Sequence, residues 1–301
     1  MINAHEQKII LDLTNQFSKV NSHRNVDVRS PHKIFLILLI LSRYSKKEIS
    51  DVRFEEIKNP LISLLENYGP PSKKQKPNDP FWHLKNDDVW QLKAGMEPFH
   101  NRHNNNAPTN NQLKDVTGNF SEEIQKDLIK NPTIASQVAE NLITNLFPQT
   151  FHNDLKDFLG LELPENIVQI KKVRDPKFRF LVLEAYEYKC VVCGFNLRLN
   201  DKLVGLEGAH IKWHEYNGSD EVDNGFSMCS LHHTLFDRGV FTLDKESLKW
   251  VFSTSVDGSS LDVQKNYHQK QAPKPIYEVH RPRKEYLEWH EKNVFKPSKR
   301  P

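Results

Sequence analysis

The apolar positions in the first half of the chain follow a helical period. A continuous apolar run over residues 34–41 predicts a buried helix, with Ser30 as its N-cap and Pro31 in its first turn. Helical spacing returns over residues 121–147, with a break at Pro132. We therefore expect this half to be mainly helical. An earlier helix is predicted from a stripe of Ile9, Ile10, Leu13, Phe17 and Val20.

Between these helical patterns lie two polar segments, residues 69–78 and residues 100–111, whose Pro, Asn and Lys content predicts surface loops. Two aromatic-rich runs, residues 81–84 and residues 89–92, flank an Asn-Asp-Asp turn between the loops. This alternation predicts a small β-hairpin in the otherwise helical half.

A different pattern begins after Arg179, with cysteines, paired histidines, glycines and short apolar runs. The sequence thus predicts an α+β protein of two domains, residues 1–165 and residues 166–301. The length of 301 residues, with 37% hydrophobic and 27% charged residues, suffices for two ordinary domains and is too apolar for a disordered chain.

Charge and hydropathy narrow the class of protein. The net charge of +3 is compatible with a nucleic-acid partner but does not by itself indicate one. The first residues lack the layout of a signal peptide, and no apolar run approaches the roughly 18 residues of a membrane span. We therefore expect a cytoplasmic protein with no membrane partner.

All three cysteines lie in the second half at metal-ligand spacing. Two residues separate Cys190 from Cys193, and the same gap separates Cys229 from His232. Thiolate and imidazole are the ligands of structural zinc sites, and Gly194 would allow the tight turn that follows the first pair. The pattern predicts one structural Zn²⁺ on these four side chains, with simple packing of buried cysteines as the alternative.

A second pattern lies among the predicted zinc ligands. It consists of His210, of Asn224 in an Asp-Asn-Gly turn, and of His233. With the cysteine pairs, these residues resemble the HNH endonuclease family over residues 189–240. The resemblance implies a small ββα-metal unit that holds one divalent cation for phosphodiester cleavage, with His210, Asn224 and His233 as its catalytic residues. In it, Asn224 braces the loop that carries His210.

The residue types also suit this chemistry by themselves. Phosphodiester hydrolysis needs a base for the attacking water and a cation for the charge that develops, and a neutral imidazole at His210 suits the first role. On a helix after Cys229, the neighbours His232 and His233 project about 100° apart, so they can serve different metals. His233 and Asp237 share one helix face and offer nitrogen and oxygen to Mg²⁺ or Mn²⁺.

The number of ligands for this cation stays open. Many HNH enzymes have an Asp or His ligand directly before the catalytic histidine, where this chain has Ala209. Asp237, or Glu207 through a water molecule, could replace it; otherwise His233, substrate phosphate and water would hold the cation. Asp237 has the alternative of a solvated helix charge or an ion pair with Arg238.

The first half carries its own resemblance. The segments 29–33, 80–84 and 87–90 resemble the sulfur-binding domain of phosphorothioate-dependent restriction endonucleases, in which an HNH domain follows. The resemblance spans most of residues 1–165 and implies binding of duplex DNA in which sulfur replaces a non-bridging phosphate oxygen. The candidate DNA-binding and sulfur-binding residues are His32, Lys33, Asp79, Pro80, Phe81, His83 and Arg102.

Sulfur is larger and less strongly hydrated than oxygen, which makes an apolar contact selective. Packing it against Pro80 and Phe81 would gain about 1 kcal/mol, whereas a hydrated oxygen there would be desolvated at a cost. His32 and Lys33 would lie at the positive end of a helix dipole, which favours phosphate. Core packing is the alternative for Phe81 and Trp82.

Together the patterns predict a type IV, modification-dependent endonuclease, whose cutting of both strands implies a homodimer or paired binding events. One alternative is an HNH enzyme that targets methylated or hydroxymethylated bases, with Trp82 and Trp90 stacking on a flipped base. Another is a non-catalytic, zinc-stabilised DNA-binding protein.

Overall fold

The computed structural model describes residues 2–20, 30–93, 95, 99, 106–161, 175–258 and 266–297. Most of the described residues before position 162 form one compact unit, and those from position 175 onward form a second. The predicted domain boundary at residue 165 lies outside the described residues. Helices and small antiparallel strands make up both units, as the α+β prediction requires.

The first unit is mainly helical and matches the predicted periodicity. Three of its four longer helices follow the apolar stripe near the start, the continuous apolar run and the pattern that Pro132 interrupts, whereas the fourth, Phe54–Tyr68, was not predicted. None of the described helices is long and apolar enough to cross a membrane. The helices are α1 (Ala4–Lys19), α2 (His32–Ser45), α3 (Phe54–Tyr68), α4 (Asn78–His83), α5 (Asn110–Leu113), α6 (Glu122–Lys130), α7 (Pro132–Leu146) and α8 (His152–Leu159).

Helix α2 is the centre of this unit, since nine of its 14 residues are buried. Its first residue is His32, so the N-cap is Pro31 rather than the predicted Ser30. The Ser30 hydroxyl lies 3.4 Å from Nδ1 of His32 and not on a backbone amide. Proline has no amide hydrogen to leave unpaired, so it is well suited to this helix start.

The predicted hairpin over residues 81–92 is wrong. Its first half is helix α4, followed by a 3₁₀ turn at Leu84–Asp87. Its second half, β2 (Trp90–Leu92), pairs with the distant β3 (Thr117–Phe120), which also pairs with β1 (Val52–Arg53). The local turn signal was correct at Asp88, whose φ is +57°, but tertiary pairing chose the partner strand.

The second unit contains the ββα arrangement expected of its motif. Strand β6 pairs antiparallel with β7, so that His210 lies opposite Gly225 and Leu206 lies opposite Cys229. Helix α10 follows β7 directly. The elements are α9 (Lys177–Ala185), β4 (Arg198–Leu199), β5 (Lys202–Leu203), β6 (Leu206–His210), β7 (Gly225–Cys229), α10 (Ser230–Asp237), β8 (Phe241–Leu243), β9 (Trp250–Phe252) and α11 (Lys284–Asn293).

Helix α11 places a buried histidine under α10. The His290 ring is fully buried and stacks on Phe236, with ring centroids 3.7 Å apart. Its Nε2 donates to the Phe236 carbonyl oxygen at 3.1 Å, and its Nδ1 accepts from the Thr242 hydroxyl at 2.9 Å. Burial lowers the pKa of His290 to about 4, because the charged imidazole has no solvation there.

This buried imidazole predicts a loss of stability in acid. A histidine in the unfolded state has a pKa of about 6.5. Between pH about 6.5 and pH about 4, the unfolded state therefore binds a proton at His290 that the folded state does not bind. We expect about 3 kcal/mol of unfolding free energy, present in full above about pH 6.5, to be lost over this window. Denaturant titrations at several pH values measure the slope of the unfolding free energy against pH.

The variant His290→Gln should show a flatter slope than the parent, whereas His280→Gln, at a half-exposed position, should keep the parent slope. An unchanged slope in His290→Gln would contradict the assignment.

Candidate metal and nuclease site

Four side chains of the second unit converge at metal-binding distance. The ligand atoms of Cys190, Cys193, Cys229 and His232 all lie within 4.8 Å of one another. The Sγ atoms of Cys193 and Cys229 are 4.0 Å apart, and Nδ1 of His232 lies 3.6 Å and 3.2 Å from the sulfurs of Cys190 and Cys229. Tetrahedral zinc bonds imply spacings of about 3.8 Å for S–S and about 3.5 Å for S–N. This donor set therefore fits one zinc ion.

The local backbone explains why the ligands meet. Gly194 has φ +76°, and its amide donates to the Cys190 carbonyl at 2.8 Å, which closes the tight turn that the sequence predicts. Cys229 ends β7 and is the N-cap of α10. His232 in the first turn of α10 thus reaches back to the cysteines.

The thiols themselves are unevenly acidic. The hydrogen bond from Cys229, together with that from His232, lowers the pKa of Cys190. The same pairing with Cys190 raises the pKa of Cys229, because a second thiolate beside the first is unfavourable. A bound cation removes this conflict, since it stabilises every thiolate that coordinates it.

A second cluster joins β6 to α10. Nδ1 of His233 lies 2.6 Å from a Glu207 oxygen, and its Nε2 lies 3.2 Å from an Asp237 oxygen. Asp237 is only 2% exposed, and its other oxygen accepts from the Trp213 indole N–H at 2.9 Å. The alternative of a solvated helix charge for Asp237 is therefore wrong. Ser230 donates to the second Glu207 oxygen at 2.8 Å.

The charges in this cluster favour a cation. Burial lowers the pKa of His233, but Asp237 and Glu207 outweigh it and raise the pKa to about 10. The hydrogen bond from His233 lowers the pKa of Glu207 in turn. One imidazole between two carboxylates supplies the nitrogen and oxygen donors that a hard divalent cation accepts in place of a proton.

The predicted catalytic base, His210, is held by a stacked aromatic ring and by a carboxylate. His210 ends β6 and is 8% exposed, and its ring stacks on Phe178 with centroids 3.9 Å apart and an interplanar angle of 13°. Its Nε2 lies 2.8 Å from an Asp220 oxygen. The other Asp220 oxygen lies 3.8 Å from Nε2 of the buried His214.

Sequence reasoning did not single out Asp220. It lies in an Asn-Gly-Ser-Asp loop between the two motif residues His210 and Asn224, where no spacing rule marks it. The signal that could have found it is the chemistry of the base, since a histidine general base is commonly oriented by a third group. Only the folded loop shows which carboxylate fills that position.

Asn224 closes the loop that begins at His210. Its Oδ1 accepts from the Lys212 amide at 2.8 Å, and its Nδ2 donates to the carbonyls of Lys212 and Ser219, both at 2.9 Å. The side chain is fully buried. These contacts join Asn224 to Lys212, two residues after His210, and to Ser219. Gly218 is needed in the same loop because a Cβ there would meet the Lys212 carbonyl oxygen at 1.8 Å.

In the first unit, the predicted DNA contacts lie at the start of α2 and along α4. His32 and Lys33 are half-buried, and the Lys33 ammonium forms an ion pair with Asp87. Asp79 and His83 are half-buried, and Pro80 is buried. The further candidate Arg102 lies outside the described residues.

Phe81 belongs to the core. Its side chain is fully buried and packs edge-to-face on Phe54 and Trp90, with centroids 5.2 Å and 5.5 Å apart. Trp82 is also buried. The predicted sulfur contact is therefore corrected for Phe81, because its ring is 0% exposed and is packed against two core aromatic rings. Core packing was the alternative that the sequence kept open.

These features define a protein that joins a mainly helical domain to an HNH endonuclease domain. Residues 190–244 match the HNH endonuclease family HNH_2, which covers the zinc-ligand pairs, His210, Asn224 and His233. Residues 10–164, half of the chain, match the ScoMcrA-like DNA sulfur-binding domain. The chain belongs to this sulfur-binding domain family.

Solved structures offer weaker likenesses. The modification-dependent TagI restriction endonuclease is 21% identical with TM-score 0.31, over 41% of this chain and 39% of that chain. The sulfur-binding domain of ScoMcrA with phosphorothioated DNA is 21% identical with TM-score 0.38, over 48% of this chain and 94% of that chain. The chain thus spans about two fifths of the length of the first of these structures. No curated protein matches the chain.

Proposed function

We propose that this protein is a type IV restriction endonuclease that recognises phosphorothioate-modified duplex DNA and hydrolyses nearby phosphodiester bonds by a one-metal HNH mechanism. The observation that carries the proposal is the pairing of two features in one chain. A sulfur-binding domain of known family precedes a ββα unit in which His210, Asn224 and His233 occupy the motif positions and His233 lies between Glu207 and Asp237.

In this mechanism His210 takes a proton from the attacking water, and Asn224 keeps the loop after His210 in place. His233 and Asp237 would hold Mg²⁺ or Mn²⁺, and Glu207, which lies 2.6 Å from His233, would be a further oxygen donor. When bound, the cation neutralises charge on phosphorus and on the leaving 3′ oxygen. Zn²⁺ on the four Cys and His ligands holds the scaffold together.

Recognition of the modified phosphate falls to the first unit. His32, Lys33, Asp79, His83 and Arg102 are the proposed DNA contacts, and Pro80 is the proposed sulfur contact. Lys33 would exchange its partner Asp87 for a backbone phosphate. Sulfur then gains apolar contact where an oxygen would lose hydration, which gives the selectivity.

The test compares two duplexes of identical sequence, one phosphorothioated and one ordinary, each with and without Mn²⁺. We expect cleavage only where sulfur and metal are both present, because the first domain selects the site and the cation is required for the chemistry. A third duplex with methylcytosine tests the alternative target. Equal cleavage of the sulfur-containing and ordinary duplexes, or cleavage of the methylated one alone, would contradict the proposal.

Strand breakage also separates the enzyme from the non-catalytic alternative, since a DNA-binding module would retain the sulfur-containing duplex and leave it intact. Cutting both strands requires two active sites, so we propose that a homodimer or a pair of bound molecules acts at each site. The molar mass of the complex between the protein and the modified duplex measures how many protein molecules bind at each site.

A further inference from the structure

Asp220 is held in place by a hydrogen bond from the backbone, independently of its contact with His210. One of its carboxylate oxygens accepts the backbone N–H of Asp175 at 2.7 Å. The other lies 2.8 Å from Nε2 of His210. The carboxylate therefore cannot rotate freely, and the oxygen that faces His210 is set by the Asp175 amide.

The charge on Asp220 decides which nitrogen of His210 carries hydrogen. Burial raises the pKa of Asp220, but the hydrogen bonds from the Asp175 amide and from His210 outweigh it and lower the pKa overall. The side chain is therefore an ionised carboxylate, which only accepts hydrogen bonds. Nε2 of His210 must donate to it, and in the neutral imidazole the lone pair then lies on Nδ1.

The plane of the ring is fixed as well. Phe178 stacks on His210 at 3.9 Å with an angle of 13°. A second titratable group at this carboxylate is His214, whose ring centroid lies 5.9 Å from that of His210 and whose Nε2 is 3.8 Å from Asp220. Stacking and hydrogen bonding thus define both the orientation and the tautomer of the proposed base.

We propose that Asp220 is a positioning residue that holds His210 in the tautomer whose Nδ1 accepts the proton of the attacking water. It also stabilises the imidazolium that this transfer produces. The hydroxide so formed attacks phosphorus, the bond from phosphorus to the 3′ oxygen breaks, and the 3′ alkoxide that leaves takes a proton from solvent water. The inference rests on the proposed nuclease function and adds to it a residue outside the three motif positions.

The substitution Asp220→Asn tests it sharply because the Asp175 amide selects the orientation of the new side chain. The amide oxygen must stay on the Asp175 N–H, so the amide nitrogen faces His210 and donates to Nε2. His210 would then carry its hydrogen on Nδ1, the nitrogen that must accept the proton. We expect kcat on phosphorothioated duplex to fall by about 10²- to 10⁴-fold, with KM and DNA affinity unchanged.

Two further variants complete the kinetic test. Asp220→Glu keeps a carboxylate and should recover part of the lost kcat. Asp257→Asn makes the same charge change at an exposed position and should retain the parent kcat. A loss in Asp220→Asn of less than about threefold, far below the range for general base catalysis, would overturn the inference, as would an equal loss of DNA affinity.

A spectroscopic measurement separates this inference from the proposed function. Nitrogen chemical shifts of His210 in the ¹⁵N-histidine-labelled full chain, assigned with His210→Gln, report the tautomer without any cleavage. We expect hydrogen on Nε2 in the parent and on Nδ1 in Asp220→Asn, with unchanged thermal melting. Parent protein that does not cut refutes the nuclease proposal alone, whereas an unchanged tautomer in Asp220→Asn refutes the role of Asp220 alone.

Discussion

The variant His210→Ala is expected to lose at least about 10³-fold in kcat for cleavage of phosphorothioated duplex, within the range for removal of a general base. The imidazole that takes the proton of the attacking water in the proposed mechanism is then absent. DNA affinity should stay within about twofold, because the proposed sulfur and backbone contacts lie in the first unit. A plasmid-nicking assay and a binding titration measure the two effects separately.

The control for this variant is His280→Ala, which removes a half-exposed histidine of the same unit and should cut at the parent rate. The His210 ring is buried and stacks on the core residue Phe178, so His210→Ala is expected to melt at a lower temperature than the parent, and cleavage is measured well below its melting transition. Equal cleavage by His210→Ala and the parent would eliminate His210 as the base.

Removal of zinc is expected to have the largest effect on stability. The four ligands join the Cys190 turn to the start of α10, and structural zinc contributes on the order of 10 kcal/mol to folding in small zinc domains. A strong zinc chelator should therefore abolish the melting transition of the second unit. Elemental analysis should find one zinc per chain before treatment.

Cys190→Ser gives the same result by mutation, because a serine hydroxyl is nearly isosteric but is a poor zinc ligand. Re-addition of Zn²⁺ to chelated parent should restore the transition, and Mg²⁺ should not. A chelated or Cys190→Ser protein that melts like the parent would show that the cysteines only pack. Cleavage is unsuitable as the sole readout here, since chelators also remove the catalytic cation.

The sequence was most informative where function depends on residues close together in the chain. Two candidate ligands separated by two residues converge for local reasons, as the Gly194 turn illustrates. The same holds for α10, where His232 and His233 diverge about 100° around the helix and reach different clusters. Both assignments needed only helix and turn geometry.

Prediction from the sequence was wrong where the structure depends on how distant segments pair. Strand Trp90–Leu92 pairs with Thr117–Phe120, and this pairing buries Phe81 between Phe54 and Trp90. An aromatic residue next to a proline serves equally well in a core or in a ligand pocket, so composition cannot distinguish the two. The burial of Phe81 follows from which strands pair.

The amino-acid sequence by itself determined the domain families of this protein, the four side chains that could hold zinc and the three motif residues, because short spacings and residue chemistry are properties of neighbouring positions. The tertiary structure decided that Asp237 is a buried partner of His233 and that Asp220 faces His210. Burial and the meeting of charges across a loop arise only when separate segments pack, and no local pattern encodes them.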